Sequence, residues 1–329
     1  MTTPKRATTA VFVGSGAIAT ALGNTLTLDG ITKVWLLSVE KEVVESINAS
    51  HTNSSYFPNI RLHTSLQATT DKRILSSADV IFMAIPSTAT ISYLKEHQAF
   101  VREHAVLINL AKGFGPEYTL IPEAINNFMP NPVVSMKGPS FAREILNMQP
   151  TAFTVASRDI GSFEVLRDLF SGTTIYLDFS TDLKGVEYAS ILKNIYAIVI
   201  GIVDANFDSP NLRSMVLSKS INEMRAVIKL FGGLEESLFN YSGFGDFSLT
   251  ALNDLSRNRT LGLLIGKGFF TQQISDKVVL EGRIATNVFH HLFERQEIPV
   301  TDFPLMNELW KVFNGPYDIK AFVGNILKE

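Results

Sequence analysis

The feature that most constrains the fold is a glycine turn that separates a β-rich run from a helical stretch. Residues 8–13 form the run and lead into the turn Gly14-Ser15-Gly16-Ala17-Ile18-Ala19, and residues 17–28 suit a helix. A second β-rich run follows at residues 33–38. Strand, helix and strand within about 30 residues predict two parallel strands joined by a right-handed crossover, the repeating element of doubly wound α/β folds.

Further patterns predict two domains. More β-rich runs lie at residues 80–85, 106–111, 133–136, 153–156 and 174–177. Later residues form helical stretches at 184–203, 212–231, 246–254, 258–266, 271–278, 283–294 and 303–313. We expect a Rossmann-like doubly wound parallel sheet over residues 1–183, which would bind a dinucleotide, and a mostly all-α domain over 184–329 for substrate and catalysis.

Composition and charge exclude several classes of protein. The chain has no cysteine, which removes disulfides and thiolate chemistry and fits a cytoplasmic protein. Its 29 basic and 32 acidic residues form no long run of either sign, so nucleic acid is not an expected partner. The six histidines include no H-x-x-x-H pair, so no metal site is expected. The longest apolar run after residue 22, at residues 195–203, is far shorter than the roughly 20 residues that span a bilayer.

The glycine turn has the spacing of a dinucleotide-binding fingerprint. Gly14 would form the tight turn, Gly16 would let the backbone approach a pyrophosphate, and the small Ala19 would let helix and strand pack closely. The helix start beyond Gly16, with Ala17 and Ile18, offers N–H groups to the phosphates. The alternative is a glycine turn in a crossover unit that binds nothing.

A carboxylate near the end of the second strand can bind ribose hydroxyls. Glu40 is the nearest acidic residue, and no arginine stands there for a 2′-phosphate. This favours NAD over NADP. Alternatively, Glu40 caps a helix, and Lys41 follows it directly.

Lys193 interrupts an apolar helical stripe formed by Val186, Ala189, Ala197 and Ile200. Burial penalises the charged form of a lysine, which is the condition for a general base or acid near neutral pH. The alternative is a lysine that reaches the helix edge or pairs with a carboxylate.

A second polar cluster suits a small phosphate. If a helix starts at Asp246, then Asp246 and Thr250 share one face, and Ser256-Arg257-Asn258 can open the next helix. A guanidinium, an amide, a hydroxyl and free N–H groups together fit a phosphate. Taken separately, the two halves also suit a capping aspartate and a solvated basic patch.

Two further segments follow predicted strands. Lys112 comes just after residues 106–111, and Pro86 follows residues 80–85 in the same way, at the edge where doubly wound sheets bind ligands. Each could equally be a surface loop. Gly138-Pro139-Ser140-Phe141-Ala142 nearly matches the hydrolase nucleophile elbow, but its last glycine is missing, which disfavours a hydrolase.

Taken in order, these segments resemble the NAD(P)-dependent glycerol-3-phosphate dehydrogenase family, particularly its bacterial form. The resemblance covers nearly the whole chain. It rests on Gly14-Ser15-Gly16, Ala84-Ile85-Pro86-Ser87, Ala111-Lys112-Gly113, Gly138-Pro139-Ser140-Phe141-Ala142, Leu192-Lys193-Asn194, Gly243-Phe244-Gly245-Asp246, Ser256-Arg257-Asn258-Arg259 and Val279-Leu280-Glu281-Gly282.

The resemblance implies reversible oxidation of sn-glycerol 3-phosphate to dihydroxyacetone phosphate, feeding glycerophospholipid synthesis, in a protein expected to be a homodimer. It marks Lys193 as the proton acceptor, beside Lys112, Asp246 and Thr250. The implied substrate-binding residues are Lys112, Gly138, Ser140, Lys193, Asp246, Ser256, Arg257 and Asn258. Beyond the glycine turn and Glu40, the implied cofactor-binding residues are Pro86, Lys112, Ala142, Arg257, Val279 and Glu281.

The chain departs from the family pattern at three places. Ile18 and Ala19 stand where an aromatic residue and glycine are common, and a basic or histidine residue is common near Val39. Lys219-Ser220 replaces a usual arginine and glycine, which could mark a different polyol phosphate substrate. Competing functions are a β-hydroxyacid or ketopantoate type of reductase and a catalytically silent NAD-binding sensor.

Overall fold

The computed structural model describes residues 7–269 and 281–328. The chain divides into two compact units, Met1–Leu183 and Lys184–Glu329, called here unit one and unit two. Unit one holds eight strands and six α-helices among its described residues. Unit two, where it is described, is built from helices and short helical turns without a named strand. The expected fold class, a Rossmann-like sheet with a helical C-terminal region, is confirmed.

The sheet of unit one has the order β3-β2-β1-β4-β5-β6-β7-β8. Its strands are β1 (Thr9–Val13), β2 (Lys33–Leu37), β3 (Leu66–Thr69), β4 (Val80–Met83), β5 (Val106–Asn109), β6 (Val133–Lys137), β7 (Thr151–Ser157) and β8 (Ile175–Ser180). The helices between them are α1 (Ala17–Leu26), α2 (Lys41–Glu45), α3 (Ser87–His97), α4 (Ile121–Asn126), α5 (Ala142–Leu146) and α6 (Gly161–Phe170).

Both faces of this sheet are covered by apolar packing. Along β1, Ala10 and Phe12 belong to one buried cluster, and Val11 and Val13 belong to the other. Phe12 stacks on Phe82 of β4 with 4.3 Å between ring centroids. Because alternate side chains of a strand point to opposite faces, a strand covered on both sides reads as a continuous apolar run.

The sheet differs from the expectation at β3, β7 and β8. β7 runs antiparallel to β6, whereas the first six strands in the sheet order are parallel. β8 runs parallel to β7 and so shares its reversed direction. The connection from Lys137 to Thr151 holds only the five-residue α5, and a short connection returns a chain antiparallel more readily than parallel. β3 was not among the expected strands, because its Leu-Gln-Ala-Thr sequence is short, half polar and paired with β2 alone.

Unit two contains α7 (Leu183–Asn206), α8 (Pro210–Leu230), α9 (Asp246–Leu252), α10 (Arg257–Gly266), α11 (Glu281–Arg295), α12 (Pro304–Asn314) and α13 (Phe322–Leu327). The predicted helical stretch at 271–278 lies outside the described residues. α7 is long and apolar enough by composition to cross a bilayer, but its most apolar window is entirely buried inside the protein. Such burial is typical of a core helix.

A carboxylate and an ammonium on α8 hold the last two helices. Glu223 accepts hydrogen bonds from the backbone N–H groups of Leu305 and Met306, at the start of α12, and from the Tyr196 hydroxyl. Lys219 Nζ donates to the Ile326 carbonyl near the end of α13. Both charges lie at the helix end that favours them. The departure at Lys219 therefore has a structural role.

Burial gives Glu223 a pH-dependent effect on stability. Burial raises the pKa of the Glu223 carboxyl to about 7. The hydrogen bonds that this carboxyl accepts and the charge of Lys219 act in the opposite direction, but they do not cancel the effect of burial. The folded carboxyl thus holds its proton more tightly than the unfolded one. As pH rises from about 4.5 to about 7, this group weakens the fold.

We predict that Glu223→Gln removes this pH dependence. As pH rises from 4.5 to about 7.5, the unfolding free energy of the variant should increase relative to that of wild type by up to about 3 kcal/mol. Any stability that the variant loses through weaker hydrogen bonds is the same at every pH and does not affect this change. Denaturant unfolding at several pH values measures the difference, with the exposed Glu236→Gln as control. A wild-type-to-variant difference that does not change with pH would contradict the prediction.

Candidate active site

A cleft of about 570 Å³ opens at the carboxyl edge of the parallel strands of unit one. It contains five of the residues expected to bind a cofactor, namely Gly14, Ser15, Gly16, Glu40 and Pro86. The remaining lining residues are Val13, Leu37, Ser38, Val39, Lys41, Tyr56, Thr70, Lys72, Ala84, Ile85, Ala89 and Tyr93. The glycine turn and the segments after β2 and β4 thus share one cavity.

The two glycines of the turn have different physical roles. Gly14 has φ 108°, and a Cβ there would lie 2.6 Å from the Ala84 carbonyl oxygen, so a side chain is excluded. Gly16 precedes α1, and the nearest atom to a Cβ built there belongs to the Tyr56 ring, 3.9 Å away. The chain therefore leaves open space beside the N-terminus of a ten-residue helix, where anions bind favourably.

The side chains after the turn face the core rather than the cleft. Ala17 and Ile18 are half-buried and pack on the apolar cluster, and Ala19 is fully buried. Any contact that Ala17 and Ile18 make with a phosphate would therefore come from their backbone N–H groups. This explains why Ile18 can stand at a position that the family usually fills differently.

Hydrogen bonds tie the turn to the loops around it. Ser15 Oγ lies 2.7 Å from Ser38 Oγ, at the end of β2. The Asn53 amide donates to the Ser15 carbonyl and to Thr20 Oγ1, at 2.8 Å in both cases. Sequence reasoning missed Ser38, Asn53 and Tyr56, because they lie in loops without a motif and reach the turn only through the fold.

The far part of the cleft carries charges of both signs. Glu40 occupies the N-cap position of α2, but its side chain makes no capping hydrogen bond and is exposed. Lys41 and Lys72 line the same cleft. One carboxylate that suits ribose hydroxyls is therefore accompanied by two cations that suit a 2′-phosphate. Lys72 follows β3, the strand that the sequence did not reveal.

The ends of β5 and β6 bring Lys112, Gly138 and Ser140 together. Lys112 Nζ donates to the Gly138 carbonyl at 3.2 Å, and Ser140 Oγ donates to the same oxygen at 3.0 Å. A Cβ at Gly138 would lie 2.3 Å from the carbonyl oxygen of Ala152 on β7, so only glycine fits there. Ala142 begins α5 and packs on the core.

In unit two, Lys193 lies on the buried α7 with 5% of its surface exposed. Its Nζ donates to Asp246 Oδ1 at 2.7 Å and to Thr250 Oγ1 at 2.8 Å. The Thr250 hydroxyl in turn donates to the Asp246 carbonyl at 2.6 Å, which leaves its lone pairs for Lys193. α9 begins at Asp246, so Asp246 and Thr250 lie one helical turn apart on the face that meets α7.

The segment Ser256-Arg257-Asn258-Arg259 begins α10, and its four side chains differ in their hydrogen-bond partners and in their exposure. Ser256 Oγ caps the helix by accepting from the Arg259 N–H at 3.3 Å. Arg257 is exposed, and Asn258 Oδ1 accepts from the Gly282 N–H at 3.3 Å. Arg259 is a structural anchor, since its guanidinium binds Asp204, Asp254 and the Ala251 carbonyl.

The start of α11 lies beside the Lys193 segment. Glu281 Oε2 accepts from the Asn194 amide, next to Lys193, at 3.2 Å. Val279, the other expected cofactor residue of this segment, lies outside the described residues. Within residues 7–269 and 281–328, no three His, Asp or Glu side chains form a group suited to a metal ion. His290 instead stacks on Trp310.

The chain is similar to known proteins over nearly its whole length. The family models described as NAD-dependent glycerol-3-phosphate dehydrogenase N-terminus and C-terminus match residues 9–162 and 182–324. A Clostridium acetobutylicum protein named glycerol-3-phosphate dehydrogenase [NAD(P)+] is 33% identical over 96% of both chains.

Solved structures support the same family. The crystal structure of glycerol-3-phosphate dehydrogenase from Coxiella burnetii aligns with a TM-score of 0.90 and 28% identity, over 99% of this chain and 100% of that one. A Ralstonia eutropha ketopantoate reductase of the PanE/ApbA family aligns over 97% of this chain and 100% of that one, with a TM-score of 0.60 and 14% identity, and so shares the fold alone. The resemblance found in the sequence is confirmed, and the chain belongs to the NAD-dependent glycerol-3-phosphate dehydrogenase family.

Proposed function

We propose that this chain interconverts sn-glycerol 3-phosphate and dihydroxyacetone phosphate, with NAD or NADP as hydride carrier. Family membership over nearly the whole chain supports the reaction. In the oxidation, the C2 alcohol gives up one hydride and one proton and becomes a ketone. When bound, the nicotinamide supplies the hydride chemistry, so the protein must bind, orient and manage the proton.

The glycine turn fits a dinucleotide. Gly14 and Gly16 leave the N-terminus of α1 open, as phosphate binding requires. In this proposal Gly14, Ser15, Gly16, Ala17 and Ile18 hold the pyrophosphate through the backbone. Glu40 binds the ribose, and the other cofactor contacts come from Pro86, Lys112, Ala142, Arg257, Val279 and Glu281.

The observation that carries the proposal is the buried Lys193 ammonium. Asp246 supplies the opposite charge, and Thr250 accepts a hydrogen bond that fixes the direction of Nζ. In the reduction, Lys193 would donate its proton to the ketone oxygen as that oxygen gains charge, and in the oxidation it would take the proton back. Asp246 and Thr250 position Lys193 for this transfer.

For the substrate phosphate we propose Arg257 and Asn258, with Ser256 holding the start of α10 in place. Lys112, Gly138 and Ser140 are the further substrate-binding residues of this proposal. Arg257 is the exposed guanidinium of its segment, whereas the neighbouring Arg259 is occupied by two carboxylates. We also propose that the protein is cytoplasmic, because it lacks cysteine. We propose that it is a homodimer, because dimers are the commonest homo-oligomers. In this proposal its product supports glycerophospholipid synthesis.

One assay separates the candidate functions. Oxidation of NADH and of NADPH is followed with dihydroxyacetone phosphate, with ketopantoate or without substrate. The proposal requires turnover with dihydroxyacetone phosphate. Turnover with ketopantoate alone would indicate the related reductase, and cofactor binding without turnover would indicate a sensor.

We predict that Lys193→Met lowers kcat by about 10²–10⁴-fold, because methionine matches the length of lysine but carries no proton to transfer. The fold and cofactor binding should persist. Lys184→Met, the same change at the start of α7, is the control. Steady-state kinetics and a cofactor titration measure both effects. Near-normal turnover in a folded Lys193→Met protein would exclude Lys193 as the proton donor and acceptor.

Arg257→Lys keeps the charge but loses the planar fork that suits phosphate. We expect binding of dihydroxyacetone phosphate to weaken by about 1.5–3 kcal/mol, seen as a raised KM. The exposed Arg225→Lys on α8 serves as control. An unchanged KM for substrate and for cofactor would show that Arg257 is only a solvated residue at a helix start.

We predict a modest preference for NADH over NADPH, because Glu40 repels a 2′-phosphate while Lys41 and Lys72 partly offset that repulsion. Glu40→Ala should shift the ratio of kcat/KM values towards NADPH. Glu42→Ala changes a nearby exposed carboxylate of α2 and should not. Both cofactors are measured at one ionic strength. A wild-type preference for NADPH, or an unchanged ratio in Glu40→Ala, would refute the role of Glu40.

A further inference from the structure

A second lysine, Lys137, is buried at the edge of the sheet where Lys112 lies. It is the last residue of β6, and none of its surface is exposed. Its Nζ donates to the carbonyl of Asn109 at 3.0 Å and to the carbonyl of Ala111. These two carbonyls belong to the end of β5 and to the segment that leads directly into Lys112.

The contacts of the two lysines are reciprocal. Lys137 binds carbonyls that come just before Lys112, and Lys112 Nζ binds the carbonyl of Gly138, which comes just after Lys137. We call these three hydrogen bonds the reciprocal lysine bonds. They join the ends of β5 and β6 at and beyond the last pair of the two strands, Asn109 with Ser135.

Burying an ammonium at this position is costly, because fully buried lysines lose their hydration. An apolar side chain of similar length, such as methionine, would fill the same space without that cost. An apolar side chain could not hold the Asn109 and Ala111 carbonyls, however, since it has no donor. What Lys137 adds to this position is therefore a fixed path for the backbone before Lys112.

The rest of the segment is fixed as well. Asn109 Oδ1 accepts from the Ala111 N–H at 3.1 Å. Beyond Lys112, a Cβ built on Gly113 would lie 2.5 Å from Ser87 Oγ, so the chain presses against the start of α3. The backbone is thus held on both sides of Lys112.

We infer that Lys137 is a positioning residue, which holds the backbone before Lys112 so that the Lys112 ammonium reaches the substrate in one orientation. This inference rests on the substrate-binding role proposed above for Lys112. Lys137 itself touches neither substrate nor cofactor in this account, because it is enclosed by the protein.

A double-mutant cycle tests this coupling. Lys137→Met should lower kcat/KM for dihydroxyacetone phosphate by about 10- to 100-fold, as expected when a binding group is displaced. In a Lys112→Met background, Lys137→Met should lower kcat/KM almost no further, because the Lys112 ammonium that Lys137 positions is already absent. Equal fractional losses in both backgrounds would overturn the inference, since they would indicate a general structural role.

Asn131 provides a matched control. Its buried side-chain amide donates to the carbonyls of Arg102, Glu103 and Ala105, and so joins the segments that lead into the same two strands, at the opposite edge of the sheet. Asn131→Leu removes these backbone hydrogen bonds and should lower Tm but leave kcat/KM unchanged. An equal loss of kcat/KM in both variants would contradict a specific role for Lys137.

A second readout does not depend on activity. The rate at which an acetylating reagent modifies Lys112, measured by mass spectrometry, should rise several-fold in Lys137→Met and stay unchanged in Asn131→Leu. If the wild type does not reduce dihydroxyacetone phosphate, the proposed function fails, and the labelling rates still decide whether Lys137 holds Lys112. Unchanged labelling in Lys137→Met would overturn the inference even in an active enzyme.

Should Lys137→Met fail to fold, Lys137→Gln takes its place in both experiments. Glutamine keeps one amide donor for a carbonyl and removes the buried charge. For Lys137→Gln we expect a decrease in kcat/KM and an increase in the labelling rate of Lys112 that are both smaller than those expected for Lys137→Met. Wild-type kcat/KM together with wild-type labelling of Lys112 in this variant would overturn the inference.

Discussion

A cation buried in the middle of an apolar helix is the constraint on which unit two depends. Lys193 lies among fully buried neighbours on α7, and its charge is compensated by Asp246 and Thr250. Removing one partner of such a pair typically costs about 3–5 kcal/mol, because it leaves a buried charge uncompensated. α9 must therefore begin where it does, with Asp246 and Thr250 one turn apart against α7. The same arrangement fixes the direction of the Lys193 ammonium, as its proposed role of proton donor requires.

A second ionic network extends this arrangement. Asp204, near the end of α7, binds Arg213 of α8 through one oxygen and Arg259 of α10 through the other. Arg259 also binds Asp254 and the Ala251 carbonyl, just before α10. The start of α10 is therefore fixed relative to α7, and Arg257 is presented from a rigid position. Precise placement of binding groups is what a phosphate site requires.

Much of the fold could be predicted from the sequence, because periodicity and glycine turns are local signals. The runs of β1, β4, β5 and β6 are mostly apolar and buried on both faces, and Gly14 marks the turn directly. Lys193 was visible as a charge on an apolar stripe. Its two interpretations, a reactive lysine and a lysine paired with a carboxylate, are compatible, since the paired lysine is also buried. The edge strand β3 was missed because it is short and half polar.

The missed site residues share a physical cause. Tyr56 and Asn53 reach the glycine turn, and Lys72 reaches the same cleft, from segments whose paths depend on tertiary packing rather than on local pattern. Lys137 lies just beyond the predicted run 133–136, and only the structure reveals that its ammonium turns back to the backbone of β5. Contacts of this kind join segments that no spacing rule connects.

Chemical rescue tests the central claim, that the Lys193 ammonium carries the proton, most directly. Lys193→Ala leaves a cavity beside Asp246 and Thr250 that small alkylammonium ions can enter. If the claim is right, methylammonium and ethylammonium restore reduction of dihydroxyacetone phosphate in a saturable way, and the restored rate varies with the pKa of the amine. Sodium chloride at equal ionic strength should not restore it. Full activity of Lys193→Ala without amine, or amine effects no larger than those of salt, would contradict the claim.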